Sequence, residues 1–256
     1  MVNPVKIGGV ETFSTVDFPD KIAAVVFMQG CPWRCPFCHN AFLQDASAAD
    51  NFVWEKFVEF LKTRRGILDG VVFSGGEPLM QNGLAAAVAE VKELGFLIGL
   101  HTGGYRPKHL AEVLPLVDWI GFDVKAPFER EKYKTAVGGA DHLHEAEESL
   151  KLLTESGVDF ECRTTCDPRI LTIEDIYMIA GELKARGVEK YFLQKYRPVE
   201  SDKTSTDADC ERFFLDKELL EHLRACFRVF DVRRRFLSQP FENELLLRLV
   251  FFIIAI

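Results

Sequence analysis

Three cysteines, Cys31, Cys35 and Cys38, stand at spacing C-x3-C-x2-C within Cys31-Pro32-Trp33-Arg34-Cys35-Pro36-Phe37-Cys38-His39-Asn40, with an aromatic residue directly before the third. The apolar run 22–28 just upstream reads as a buried strand, ended by Gln29 and Gly30. The cysteines therefore fall on the loop leaving that strand. A loop can wrap three thiolates around one compact inorganic object, whereas a strand or helix cannot. A structural zinc and an ordinary iron–sulfur cluster each take four protein ligands. A four-iron cubane held by three cysteines keeps one iron open, and a catalytic metal site needs an open position. Two other readings stay open. Zinc could use the three cysteines plus His39, although the adjacent ligands Cys38 and His39 strain a tetrahedral site. Cys35 and Cys38 alone could form a thioredoxin-type pair, which leaves Cys31 surplus.

Composition narrows the classes. The 256 residues permit one large domain or two small ones, and a hydrophobic fraction of 48% fills a core. A net charge of −8 argues against a general nucleic-acid-binding surface and leaves protein partners open. Seven cysteines, an odd number, do not suggest a disulfide framework and fit a reducing cytoplasm. The N-terminus, Met1-Val2-Asn3-Pro4-Val5-Lys6, lacks the basic and apolar segments of a signal peptide. The apolar stretch 245–256 contains Arg248 and falls short of the roughly 20 residues of a spanning helix, so no membrane association is expected.

The elements that must position the cysteine loop follow from periodicity. Residues 7–20 read as a lead-in hairpin or loop. Strands are expected at 22–28, 70–74, 96–102, 119–126, 158–166 and 190–195, with 227–232 as an optional last one. Between them lie helices: one capped by Asp50 or Asn51 with an apolar face of Phe52, Val53, Phe57, Phe60 and Leu61, then 79–94, one starting at Pro107, 144–156, 173–186 and 210–226. This alternation is the pattern of a parallel sheet covered by helices. A complete eight-fold barrel usually takes about 250 residues. With length spent on the cysteine loop and the tail, the expected fold is α/β, a partial (β/α)6 TIM-like barrel over residues 1–235. The apolar tail 236–256 has no role that its sequence explains.

The notable polar motifs fall at the C-terminal ends of expected strands, the rim that carries the active site in barrel enzymes. Gly75-Gly76-Glu77-Pro78 offers two glycines that let backbone approach a ligand and turn carbonyls toward it; an ordinary glycine turn is the bland alternative. Alternation places Gly121, Asp123 and Lys125 on one face of their strand, a poor core and a good binding surface, with a buried Asp–Lys pair as the alternative. Arg163 lies on the polar face of 158–166. It could bind a carboxylate or position a cofactor, or form an ion pair with Glu161 or Glu77. Cys162 and Cys166 share the other face, about 13 Å apart along the strand, too far to share a metal. His101-Thr102-Gly103-Gly104 ends the third strand; a rim histidine is often merely hydrogen-bonded. Gln194 either lines the cavity or is a satisfied loop amide, and Cys210 and Cys226 have no partner pattern.

Together these motifs resemble the radical S-adenosylmethionine family, over roughly residues 7–200. The resemblance rests on Asp17-Phe18-Pro19-Asp20-Lys21, the loop from Cys31 to Asn40, the stretches 73–78 and 121–127, and Glu161 to Thr165. Within the family the chain looks like the activating enzymes of glycyl-radical enzymes. The nearest resemblance is to the anaerobic ribonucleoside-triphosphate reductase activating group, and the Cys-His-Asn ending also resembles pyruvate formate-lyase activases. The resemblance implies a 4Fe–4S cluster on Cys31, Cys35 and Cys38 whose open iron is chelated by S-adenosylmethionine. An electron from the cluster would cleave the sulfonium, and the resulting 5′-deoxyadenosyl radical would abstract a glycine hydrogen of a partner enzyme. It further implies that Phe37 and His39 flank adenine or ribose, and that Gly75, Gly76 and Glu77 hold the methionyl end through backbone. Asp123 and Lys125 would contact ribose or carboxylate, Arg163 would help position the cofactor, and Thr102 would touch it. His101 replaces an aspartate of many activases and Gly103 an asparagine. A flavodoxin- or ferredoxin-type protein is the implied electron donor. The alternatives are a radical enzyme acting on a small molecule, such as a deazaguanine-forming type, and a non-catalytic zinc or iron–sulfur module.

Overall fold

A computed structural model describes residues 5–48 and 52–234. The strands are β1 (Ile7–Ser14), β2 (Ala23–Met28), β3 (Gly70–Gly75), β4 (Leu97–Thr102), β5 (Trp119–Asp123), β6 (Asp159–Cys166), β7 (Lys190–Lys195) and β8 (Val229–Arg233). They form one sheet in sequence order. β1 pairs antiparallel to β2, and every later neighbour pairs in parallel. Among the described residues β1 and β8 are the two edges, and between them the barrel is open. The expected lead-in hairpin is β1 with β2. The expected six parallel strands are present, and the optional strand makes a seventh, β8. The tail 236–256 lies outside the described residues.

The helices are α1 (Trp54–Lys62), α2 (Leu84–Glu93), α3 (Pro107–Val113), α4 (Arg130–Ala136), α5 (Leu143–Ser156), α6 (Ile173–Ala185), α7 (Asp207–Leu215) and α8 (Lys217–Cys226). Their ends follow local chemistry. Capping boxes start α6 (Thr172 with Asp175) and α7 (Thr206 with Asp209). Gly157, at φ 75°, closes α5 in the left-handed conformation. Three expectations are corrected. The helix expected over 210–226 is two, because Asp216 leaves helical geometry and its side chain accepts from the Leu219 N–H to cap α8. The helix expected from 79 begins as a short 3-10 turn, Pro78–Met80, before α2. α1 begins at Trp54 after Val53, which gives no side-chain cap, while Asp50 and Asn51 lie outside the described residues.

Strand alternation divides the apolar side chains into two cores. Outside the barrel, Ala24, Val26, Val71, Phe73, Ile98, Ile120, Phe122 and Leu193 pack under the helices. Inside, a smaller plug of Phe18, Val25, Phe27, Val72 and Trp119 fills the β2–β5 side, with Phe18 and Trp119 stacked at 5.6 Å. Cys162 and Cys166 belong to the outer core, and burial raises both thiols well above their ordinary range. Among the described residues no helix is long and apolar enough to cross a membrane.

Candidate active site

The cysteine loop is held at its root by backbone and by one buried amide. Gly30 donates to the Leu43 carbonyl at 2.7 Å and takes φ 101°, which a side chain rarely permits. Gln29, 3% exposed, donates to the carbonyls of Phe42 and Asp45 at 3.2 and 2.8 Å, closing the loop on itself. Farther along, Arg34 N–H donates to the Val137 carbonyl at 2.9 Å, and Trp33 is buried against Tyr133, Val137 and Ala146. The loop therefore hangs from the rim with its thiols facing the barrel mouth.

One cavity at that mouth is lined by Cys31, Cys35, Phe37, Cys38 and His39, by Gly75, Gly76, Glu77 and Thr102, and by Asp123, Lys125 and Arg163. Every residue singled out for the site thus converges on one place, and His101 and Gln194 join it. Trp33, Ser74 and Thr165 also line it and were missed. For Ser74 and Thr165 a signal existed, since each alternates onto the inner face of its strand. Trp33 had none beyond its bulk; its ring lies 5.4 Å from Lys125 Nζ and shapes the wall beside it.

The Gly-Gly-Glu stretch is packed against the root of the cysteine loop. A Cβ on Gly76 would stand 2.2 Å from the Gly30 carbonyl oxygen, and one on Gly75 at 2.2 Å from the Met28 nitrogen. Gly76 N–H donates to Met28 and Glu77 N–H to Gly30, both at 2.9 Å. With those donors committed, what this stretch can offer a ligand is its carbonyls, which suit an ammonium group. The Glu77 side chain is turned inward: it accepts from Leu79 N–H at 3.0 Å, Thr102 hydroxyl at 2.5 Å and Gly103 N–H at 3.0 Å. Burial pushes its carboxyl up to about 6 despite those donors. Thr102 also accepts from Gly104 N–H at 2.9 Å, so its hydroxyl is already occupied. Glu77 and Thr102 thus brace two rim loops against each other.

The charged wall faces them. Arg163 Nε donates to Asp123 at 2.7 Å, and Lys125 Nζ to the other carboxylate oxygen at 3.3 Å. Burial disfavours charge on Asp123, yet Arg163 and Lys125 hold its carboxyl down at about 2. Burial also works against charge on Lys125, and Asp123 outweighs it, raising that ammonium well above its ordinary value. The expected partner of Arg163 is corrected: it is Asp123, because Glu161 is taken by Arg233 of β8 and Glu77 by the rim loops. Gly121 makes this arrangement fit, since a Cβ there would meet Arg163 Nη1 at 2.7 Å. His101 Nε2–H donates to the Asp17 carbonyl at 2.9 Å, and Nδ1 accepts from Ser74 at 3.3 Å. Burial and the neighbouring Arg163 charge push it down to about 3, so it is a neutral, hydrogen-bonded imidazole at pH 7.

The site fits an iron–sulfur cluster with an amino-acid-like ligand better than the competing readings. Among the described residues no three His, Cys, Asp or Glu side chains converge as the ligands of one ion would. Burial pushes Cys31 and Cys35 up to about 12 and 11, the reverse of a thioredoxin-type thiol. A bound metal reverses that, because a coordinating thiol is deprotonated outright. Arg163 lines the cavity, and its buried Nη1 has no hydrogen-bond partner among the described residues, a cationic donor left for a carboxylate.

Comparison with known proteins agrees. The profile of the Radical SAM superfamily matches residues 25–167. A Methanocaldococcus jannaschii protein, provisionally named a glycyl-radical enzyme activating enzyme, is 31% identical over 219 residues, covering 83% of this chain and 87% of its own. The pyruvate formate-lyase-activating enzyme of Clostridium pasteurianum is 30% identical over 198 residues, covering 75% and 82%. Among solved structures, Streptococcus suis SuiB bound to S-adenosylmethionine shares the fold at TM-score 0.61 and 14% identity, over 80% of this chain and 48% of that one. A domain of a Bacteroides vulgatus pyruvate-formate lyase-activating enzyme does so at TM-score 0.52 and 15% identity, over 64% and 99%. The cofactors are accordingly a 4Fe–4S cluster and S-adenosylmethionine. A three-cysteine loop, a glycine-rich carbonyl shelf and a charged far wall converge on one open barrel mouth, and with these relatives they make the chain a member of the radical S-adenosylmethionine superfamily, in its group of glycyl-radical enzyme activating enzymes.

Proposed function

We propose that Cys31, Cys35 and Cys38 hold the cluster and that the chain installs a glycyl radical on a large partner enzyme in the cytoplasm. The observation that carries this is the convergence of the three thiols with Gly75, Gly76, Asp123, Lys125 and Arg163 on a single cavity at the open barrel mouth. When bound, the cluster and S-adenosylmethionine supply one-electron cleavage of the sulfonium and a 5′-deoxyadenosyl radical that takes a hydrogen atom. The chain's own residues bind, orient and keep water out. The carbonyls of the Gly75–Gly76 shelf would receive the methionyl ammonium, and the Arg163 guanidinium its carboxylate. Asp123, ionised and held by two cations, would accept from ribose hydroxyls, while Phe37 and His39 would flank the adenosine. Glu77 and Thr102 act behind this layer by bracing the shelf.

The open side between β8 and β1 admits a loop of the partner, whose backbone glycine supplies the hydrogen. The sequence resemblance points to anaerobic ribonucleoside-triphosphate reductase as that partner. The name of the Clostridium pasteurianum relative favours a second reading, a pyruvate formate-lyase-type partner. The test is anaerobic reconstitution with iron and sulfide, followed by reduction with dithionite and addition of S-adenosylmethionine with each candidate partner in turn. The expected result is 5′-deoxyadenosine together with a glycyl-radical resonance on one partner. A reconstituted cluster that yields no 5′-deoxyadenosine overturns the reading, and a product without any radical on a protein moves it to a small-molecule substrate.

A further inference from the structure

The cysteine loop rests on α4, and two hydrogen-bond donors are shut into the contact. Arg34, the neighbour of Cys35, donates its N–H to the Val137 carbonyl at 2.9 Å, and Val137 N–H donates to the Tyr133 carbonyl one helical turn earlier at 3.0 Å. Gly138 permits the close approach, since a Cβ there would stand 2.4 Å from the Arg34 carbonyl oxygen. These contacts hold Trp33 and Tyr133 in one buried patch, 2% and 1% exposed, and Cys31 and Cys35 pack against it.

The Tyr133 hydroxyl and the Trp33 Nε1–H are both buried, and neither has a hydrogen-bond partner among the described residues. A buried hydroxyl without a partner is costly, and phenylalanine would fill the Tyr133 site without that cost. The charged neighbours of Tyr133 give it no acceptor. Lys125 carries only donors. The Glu77 carboxylate is engaged by Leu79, Thr102 and Gly103, and Glu145 faces His142 at 3.8 Å. Burial raises the Tyr133 hydroxyl well above its ordinary range, so it stays protonated and remains a donor. The other neighbour that bears on it electrostatically is Cys35. A thiol is a weak acceptor, but a sulfur that coordinates metal is a thiolate.

We propose that Tyr133 is a positioning residue of the cluster site, whose hydroxyl donates to the Cys35 sulfur when that sulfur holds iron and thereby raises the reduction potential of the cluster. This rests on Cys35 being a cluster ligand, as in the function proposed above. Reduction adds one electron, and with it negative charge, to the cluster and its sulfurs. A donor aimed at one of those sulfurs favours the reduced state. The electron comes from an external one-electron reductant, and the proton stays on the Tyr133 oxygen throughout.

The test compares the full-length protein with its Tyr133→Phe variant, each reconstituted anaerobically with iron and sulfide. A redox titration with dithionite, followed by low-temperature paramagnetic resonance, gives the midpoint potential. At equal cluster content, Tyr133→Phe is expected to disfavour the reduced cluster about tenfold, a potential about 59 mV more negative for one electron. The metal-free variant should melt at the parent's temperature or above it, because an unpaired buried hydroxyl has been removed. A hydroxyl with a purely structural role gives the opposite pair, an unchanged potential and a lower melting temperature, and either result overturns the proposal. Where Tyr133→Phe takes up too little cluster to titrate, the protein carrying 3-fluorotyrosine at position 133 decides. Fluorine makes the hydroxyl a stronger donor at nearly the same volume, so the potential should rise, and an unchanged potential overturns the proposal. A parent protein that takes up no four-iron cluster fails the proposed function itself, whereas a loaded parent whose potential ignores both changes fails this inference alone.

Discussion

The two halves of the barrel interior are built from different materials. On the β2–β4 side the inner face carries apolar side chains and glycine backbone: Val25, Phe27, Val72, Gly99 and the Gly75–Gly76 shelf. On the β5–β8 side it carries Asp123, Glu161, Arg163 and Arg233, tied into ion pairs across strands, together with Gln194. The difference teaches how the site divides its labour. The first half offers the cavity thiols and carbonyls, groups that need a rigid support, and the plug supplies that support. The second half presents charge, which needs counter-charge more than packing. Substitutions in the first half should therefore read out as loss of cluster or of fold, and those in the second as changes in ligand affinity and acid stability.

The largest effect expected is from Cys35→Ala. Iron content after reconstitution and 5′-deoxyadenosine formation should both fall to background, while the circular dichroism of the metal-free protein stays that of the parent. Retained cluster and activity would remove Cys35 from the ligand set. Next is Phe18→Ala, which empties the plug against Trp119. Truncating a buried phenylalanine costs about 3–5 kcal/mol, so the melting temperature should drop by roughly 10 °C. A shift under about 2 °C would mean that the plug does not support the rim.

On the charged side, Arg163→Gln leaves Asp123 with Lys125 alone. A carboxyl held down at about 2, below its ordinary 3.8, contributes stability that is present above pH 3.8 and lost as pH falls toward 2. The variant should lose part of that stability at pH 7, flatten the acid limb of urea-unfolding midpoints, and weaken S-adenosylmethionine binding about tenfold. An unchanged acid limb would show that the Asp123–Arg163 pair carries no linkage.

The smallest expected effect sharpens the boundary between the halves. Glu77 belongs to the first half but is titratable, and its carboxyl is raised to about 6 from an ordinary 4.5. Such a group favours folding most fully below pH 4.5, and that contribution is lost as pH rises through 6. Glu77→Gln should therefore remove a stability slope between pH 4.5 and 6 worth about 2 kcal/mol. Unfolding midpoints at those two pH values decide it.

Much of this was legible in the chain itself, and the reason is local. The C-x3-C-x2-C spacing, the glycine pair before Glu77 and the period-2 alternation around Asp123 are set within a few residues, so motif and parity located the site. Parity also put Cys162 and Cys166 on the face opposite Arg163, and they are found in the outer core. What failed was local competition between near-equal states. Asp216 can continue a helix or cap the next one, and its neighbours' packing decided for the cap. Pairings over long separations also stayed hidden. Glu161 and Arg163 were candidate partners because they are close in sequence, but each found its counter-charge on another strand, Arg233 and Asp123.

The sequence by itself determined which groups line the candidate site: three thiols on one loop, carbonyls freed by glycine, and charges alternating onto one face. Those depend on residue type and spacing over a few bonds. Only the tertiary structure decided what each group is free to do. It spent the Glu77 carboxylate and Thr102 hydroxyl on bracing, left Arg163 Nη1 without a partner among the described residues, and set a second groove behind Cys35 and Cys38. Hydrogen-bond capacity and access are shared among neighbours that the chain brings together only on folding, so no single stretch of sequence records how they are allotted.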